Sequence, residues 1–204
     1  MHKVDVIIVG GGIVGLATAY QINLRHPSLT LAILEKEAEL AHHQTGHNSG
    51  VLHSGIYYRP GSLKAINCRL GKQAMETFCE EEGIPFEVCG KVIVAVDESE
   101  TPALQRIFER GQQNGVSCEM IDRARLIELE PHVAGVQAIH VPESGIVDYV
   151  AVCRRLAEKL EESGASIVTN AKVTRIDKRN DAVTAVTSAG EFEARHLINC
   201  SGLQ

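Results

Sequence analysis

Apolar positions in this chain follow two rhythms, one of strands and one of helices. Val4-Asp5-Val6-Ile7-Ile8-Val9 is short, β-branched and almost unbroken, the pattern of a strand covered on both faces of a parallel sheet. Gly10-Gly11-Gly12 ends the run, and Ile13 to Arg25 predicts a helix that Pro27 stops. Leu29 to Leu34 is a second apolar run, closed by Glu35-Lys36. Strand, glycine turn, helix and strand in this order predict a βαβ unit.

From Ala41 to Gly61 the chain turns polar and rich in Gly, His and Ser. A loop of this length without periodicity is uncommon unless it is functional or disordered. Ser62 is then placed to cap a helix carrying Leu63, Ile66, Leu70, Ala74 and Phe78 at helical spacing, with Gly83 as its stop. Lys91 to Val96 predicts a strand. Thr101-Pro102 caps and opens a helix toward Asn114-Gly115, and Asp122 starts a short one ending before Pro131. After Pro142 the opening pattern returns: Asp148 caps a helix with Val152, Leu156 and Leu160 that ends at Gly164. Strands are expected at Ser166–Thr169, Val173–Asp177 and Ala182–Thr187 in hairpin-like succession, with a last one at Glu193–Cys200. This order predicts one nucleotide-binding domain in two parts, 1–83 and 142–204, split by an inserted segment, 84–141.

With 204 residues, 44% of them hydrophobic and 23% charged, the chain is neither disordered, collagenous nor a disulfide scaffold. Twenty basic against 26 acidic residues give a net charge of −6, so no general basic surface awaits nucleic acid. Six cysteines stand far apart without a Cys-x-x-Cys pair, which offers neither a zinc knuckle nor a redox dithiol. The apolar stretch Val6 to Tyr20 is interrupted by glycines, follows Asp5 and has no cleavage site, so it does not read as a secretion signal. The expected compartment is the reducing cytoplasm. Peripheral membrane contact is compatible with this, since it needs no spanning helix.

The glycine turn carries the first chemistry. In Gly10-x-Gly12-x-x-Gly15 the first glycine permits the tight turn, the second lets backbone approach a pyrophosphate, and the third lets helix and strand pack closely. The helix N-terminus then offers N–H groups to the anion. Glu35 stands 20 residues beyond Gly15, at the end of the second strand, where a carboxylate accepts from ribose hydroxyls and repels a 2′-phosphate. A dinucleotide other than NADP is implied. The fingerprint does not separate NAD from FAD, but the long polar loop after Glu35-Lys36 favours FAD, whose extended flavin half requires an additional wall. Four histidines in this loop (His42, His43, His47 and His53) lack the cysteine or carboxylate help that zinc sites use, and no metal is expected. Arg59 and Lys64 are suited to a substrate carboxylate, although Lys64 is equally an exposed first-turn helix residue.

The run Thr45-Gly46-His47-Asn48-Ser49-Gly50-Val51-Leu52-His53-Ser54-Gly55-Ile56-Tyr57-Tyr58-Arg59-Pro60-Gly61-Ser62-Leu63-Lys64-Ala65 resembles the D-amino-acid-oxidase-like FAD enzymes. Among them it is most similar to the L-2-hydroxyglutarate dehydrogenase/oxidase family. The resemblance implies an α/β, Rossmann-like FAD-binding fold, a parallel sheet with a β-meander crossover, together with part of an inserted α+β substrate domain. It implies FAD held without a covalent bond, with Thr45, Asn48, Ser49 and Gly50 along the flavin, Val173 at the adenine and Ser201-Gly202 at the closing turn. Gly10, Gly12, Gly15, Glu35 and Lys36 complete that set. His53 is then beside the flavin ring as the base, with Tyr57, Arg59 and Lys64 toward substrate. The implied reaction is oxidation of L-2-hydroxyglutarate to 2-oxoglutarate by hydride transfer to flavin, with electrons passing to a membrane quinone or oxygen. Such an enzyme is cytoplasmic or peripheral on the cytoplasmic face of the inner membrane. His53 to Tyr58 is also similar to a segment of glycerol-3-phosphate dehydrogenases, so glycerol 3-phosphate and small amino acids stay open as substrates. Family members continue beyond the position of Gln204, so the chain reads as an N-terminal portion, and a non-catalytic FAD-binding fragment is the remaining alternative.

Overall fold

In the computed structural model, which describes residues 1–203, the chain divides into two compact units, residues 1–49 with 149–203 and residues 50–148. The helix after Ser62 groups with the second unit, which differs from the expected boundaries at 83/84 and 141/142.

In the first unit four parallel strands lie in the order Ser166–Val168, Leu31–Leu34, Val6–Val9, His196–Asn199. The expected βαβ unit is present, its helix spanning Ile13–Arg25. Val6, Ile7 and Ile8 are all buried, as a strand covered on both faces requires. Ile8 meets the helix at Gly15, whereas Ile7 packs with Ala32, Leu34, Ala185 and Phe192 beneath the second sheet. That second sheet is a meander of Val173–Lys178, Val183–Thr187 and Gly190–Ala194, with His2–Lys3 added in parallel at its edge. It connects the edge strand Ser166–Val168 to His196–Asn199, and so forms the crossover of an α/β nucleotide-binding fold.

Two expectations are corrected here. Ser166–Val168 is not part of the hairpin succession but pairs in parallel with Leu31–Leu34. The single strand expected at Glu193–Cys200 is two strands in different sheets, separated at Arg195. Polar residues, Arg195 and His196, stand at the break, but they do not by themselves reveal the change of partner.

The second unit is α+β. Lys91–Ala95, Gln137–Val141 and Glu119–Asp122 form an antiparallel sheet with the middle strand between the other two. Helix Thr101–Gln113 packs on it, and Ile56, Ala95, Leu104, Val116, Ile139 and Val141 make the core. A smaller sheet joins Val51–Leu52 and Phe86–Glu87 to Gly145–Val147. Several caps expected from sequence are in place. The Ser62 hydroxyl accepts from Ala65 N–H at 3.3 Å, Gly83 sits at φ +68°, and Asp122 accepts from Arg125 N–H at 2.9 Å. The cap expected at Thr101 falls earlier, because a 3₁₀ turn at Glu98–Glu100 precedes the helix and Asp97 caps that turn. Helix Leu63–Glu82 buries Ala65 and Cys79, while Leu63, Ile66 and Leu70 are exposed; the periodic apolar face is not the face it packs through.

Candidate functional site

Backbone crowding explains the glycine turn. Gly10 adopts φ +111°, and a β-carbon there would run into the Cys200 carbonyl at the end of the neighbouring strand. A β-carbon on Gly15 would overlap the Gly10 carbonyl oxygen, so the helix approaches the strand as closely as a bare backbone allows. Gly12 is the N-cap of the helix and contributes no side-chain cap. The Thr45 hydroxyl does so from the distant loop, accepting from Ile13 N–H at 3.1 Å. Leu16 N–H bonds Gly12 O at 3.0 Å; N–H groups earlier in the helix have no acceptor within it, and with the helix dipole they make a seat for an anion.

Glu35 is 7% exposed, unusual for a carboxylate. Its Oε2 accepts from Gly11 N–H at 2.6 Å and its Oε1 from Glu37 N–H at 3.0 Å. The acid thus ties the glycine turn to the end of the second strand, a role that spacing alone does not reveal. Glu35→Ala leaves two backbone donors without their partner and is expected to lower stability by about 1–3 kcal/mol. Denaturant unfolding of the purified protein checks this, and Glu35→Gln, which keeps an acceptor, is expected to lose less.

These elements enclose a cavity of about 590 Å³ in the first unit, within the range of small-molecule sites. Gly10, Gly12, Glu35, Lys36, Thr45, Val173, Ser201 and Gly202 line it. Gly15 stands behind it as a packing residue. Ala171, Lys172, Ile176, Asn199 and Cys200 also line it. Of these, Asn199 carries a legible signal, a polar residue closing an apolar strand: its Oδ1 accepts from Ser201 N–H at 3.0 Å and shapes the closing turn.

Asn48 and Ser49 are exposed and lie outside the cavity lining. The Asn48 amide donates to the Gln44 carbonyl at 3.3 Å and also bonds the Thr45 carbonyl, so it braces the loop that carries Thr45. His43 pairs with Glu37 at 2.8 Å, and His47 Nδ1 lies 2.9 Å from the His43 carbonyl.

Gly50, His53, Tyr57, Arg59 and Lys64 belong to the second unit. His53 is partly desolvated, and burial followed by the charge of Lys91 lowers its pKa below the ordinary histidine value. The imidazole is therefore neutral, and able to accept a proton, at pH 7. Burial raises the Tyr57 pKa, which keeps the phenol protonated. Asn114, legible in sequence only as a helix end, donates to the carbonyls of Gly55 at 3.2 Å and Tyr58 at 2.9 Å, and pins the segment that carries Tyr57. The Ser54 hydroxyl, next to His53, is buried without a hydrogen-bond partner among the described residues. Arg59 and Lys64 are exposed.

The chain is similar to known proteins over nearly its whole length. The L-2-hydroxyglutarate dehydrogenase of Indibacter alkaliphilus is 51% identical over 98% of the chain, and the human mitochondrial L-2-hydroxyglutarate dehydrogenase is 44% identical over 98%. The chain spans about half the length of these relatives, 50% and 46% respectively. Among solved structures, the dithionite-reduced L-α-glycerophosphate oxidase of Mycoplasma pneumoniae with FAD bound matches with a TM-score of 0.91 at 30% identity, over 98% of this chain and 54% of that one. The glycine oxidase of Geobacillus kaustophilus shares the fold, with a TM-score of 0.90 at 23% identity over 99% of this chain and 56% of that one. The profile of the FAD dependent oxidoreductase (DAO) family matches residues 5–204, and with the glycine turn, its buried acid and the meander crossover all in register, the chain belongs to that family.

Proposed function

We propose that the complete protein oxidises L-2-hydroxyglutarate to 2-oxoglutarate with FAD as cofactor. The observation that carries this reading is identity of 51% and 44% to two L-2-hydroxyglutarate dehydrogenases across nearly all of the chain. The cavity fits the adenine-dinucleotide part of FAD: side-chain-free backbone at Gly10 and Gly12 beside a helix N-terminus suits the pyrophosphate. Glu35 keeps acceptor capacity for ribose hydroxyls beyond the two N–H bonds it already takes. Lys36 extends that rim, Val173 offers its backbone and an apolar side chain to adenine, and Ser201-Gly202 close the far side. Gly15 holds the helix in place, and Asn48, Ser49 and Gly50 lead toward the flavin half.

Bound FAD supplies the acceptor for the hydride that leaves C2 of the hydroxy acid. The proton of the C2 hydroxyl goes to His53, whose neutral imidazole is suited to take it. Tyr57, Arg59 and Lys64 are the groups offered to the substrate. Electrons then pass to a membrane quinone or to oxygen. The quinone would be met by peripheral contact on the cytoplasmic face of the inner membrane; among the described residues no helix is long and apolar enough to cross a membrane.

Anaerobic reduction of the flavin by a panel of L-2-hydroxyglutarate, glycerol 3-phosphate, glycine and proline tests the substrate. Fast bleaching by L-2-hydroxyglutarate alone is expected. The likeness to the glycerophosphate oxidase favours glycerol 3-phosphate as the second reading, and bleaching by that compound alone would replace the first.

A further inference from the structure

Lys91 opens the strand Lys91–Ala95 in the second unit. It is half-buried, and its Nζ lies 4.8 Å from the centroid of the Tyr57 ring, a cation–π contact. Desolvation lowers its pKa, and Cys68 is the other group that acts on it; no carboxylate does so among the described residues. Arg69, one residue from Cys68, differs in this respect, since it is paired with Glu143 at 3.5 Å. The Lys91 charge reaches the imidazole of His53. The thiol of Cys68 donates to the His53 carbonyl at 3.3 Å and so joins His53 to the same corner. A cation held partly out of water on an aromatic face, with no protein anion, is compensated when a ligand brings the anion.

We propose that Lys91, seated on Tyr57 in the corner that Cys68 ties to His53, binds the C1 carboxylate of the 2-hydroxy acid, an assignment that rests on the substrate class proposed above. The choice of carboxylate follows from chemistry. The base must reach the hydroxyl on C2, and the C1 carboxylate is one bond from C2, so the cation that neighbours the base neighbours C1. The distal carboxylate of a five-carbon diacid lies farther along the chain and is left to groups such as Arg59 and Lys64. Tyr57 acts here as a positioning residue: its ring carries the ammonium and its neutral phenol adds no competing charge.

The test measures equilibrium binding of glycolate, with one carboxylate, and 2-oxoglutarate, with two, to the complete flavin-loaded protein by perturbation of its visible spectrum. Lys91→Gln is expected to weaken both ligands by a similar factor, on the order of 10- to 100-fold, the worth of a charge-assisted hydrogen bond. Lys91→Arg is expected to restore most of the loss, which a merely structural role would not require. If Lys91→Gln does not retain flavin, Tyr57→Leu, which removes the platform, is expected to weaken both ligands in parallel. Unchanged binding of both ligands in whichever variant holds flavin would overturn the assignment, and so would a loss confined to 2-oxoglutarate, which would place Lys91 on the distal carboxylate. Reduction of the wild type by L-2-hydroxyglutarate is read separately. A wild type that L-2-hydroxyglutarate does not bleach, with carboxylate binding still dependent on Lys91, would sink the substrate reading and leave this one standing.

Discussion

Replacing Gly15 by valine in the complete protein is expected to yield a colourless, poorly stable product. The β-carbon of any residue at this position overlaps the Gly10 carbonyl oxygen. That carbonyl has nowhere to go: Gly10 donates its N–H to Leu34 O at 2.8 Å and abuts the Cys200 carbonyl on its other side. Helix and strand must therefore separate, which loosens the buried contact around Ile8 and Leu16 and displaces the helix N-terminus from the cavity. Overpacking against side chains typically costs about 1–3 kcal/mol, and a backbone obstacle puts this case at about 3 kcal/mol or more. The check is flavin absorbance per mole of protein together with thermal unfolding. Gly15→Ala should show the same defect in milder form. Full flavin occupancy in the valine variant would mean that the close packing does not shape the cofactor seat.

The second large effect is expected at His53. His53→Asn keeps a polar side chain of similar reach but cannot accept the proton, and should slow flavin reduction by L-2-hydroxyglutarate about 10²–10⁴-fold with FAD still bound. The pH dependence has a definite sign. Only neutral imidazole acts as a base, and burial together with Lys91 lowers its pKa below the ordinary value of 6.5. Reduction by the wild type should thus fall as the pH is lowered from about 8 to about 5, with its midpoint below the ordinary histidine value. Rapid-mixing measurements across this range check both statements. A variant that reduces its flavin at the wild-type rate with full cofactor loading would remove His53 as the base.

Much of the nucleotide site is legible along the chain because its constraints are local. A β-branched run, three spaced glycines, a helix and an acid in register describe one βαβ unit, and each of those residues performs a backbone task that few others can perform. The caps at Ser62 and Asp122 are legible for the same reason. What escapes is set by contacts distant in sequence. Glu193 to Cys200 reads as one strand, yet Arg195 separates two in different sheets: the first pairs with nearby Val183–Thr187, and the second with Val6–Val9 at the far end of the chain. The strands Glu119–Asp122 and Gln137–Val141 are short and mixed in polarity, and they exist through pairing with each other and with Lys91–Ala95. Leu63, Ile66 and Leu70 have helical spacing and still face outward, since periodicity reports a stripe and not what covers it. Lys91 escapes because a lysine opening a strand looks ordinary until the Tyr57 ring is seen beneath its ammonium.

The most direct measurement is an anaerobic titration of the complete purified protein with L-2-hydroxyglutarate, following the visible flavin band and the 2-oxoglutarate formed. Loss of the band with one 2-oxoglutarate formed per flavin reduced is the expected result. A protein that binds NAD in place of FAD, or a flavin band that L-2-hydroxyglutarate leaves intact, would contradict it.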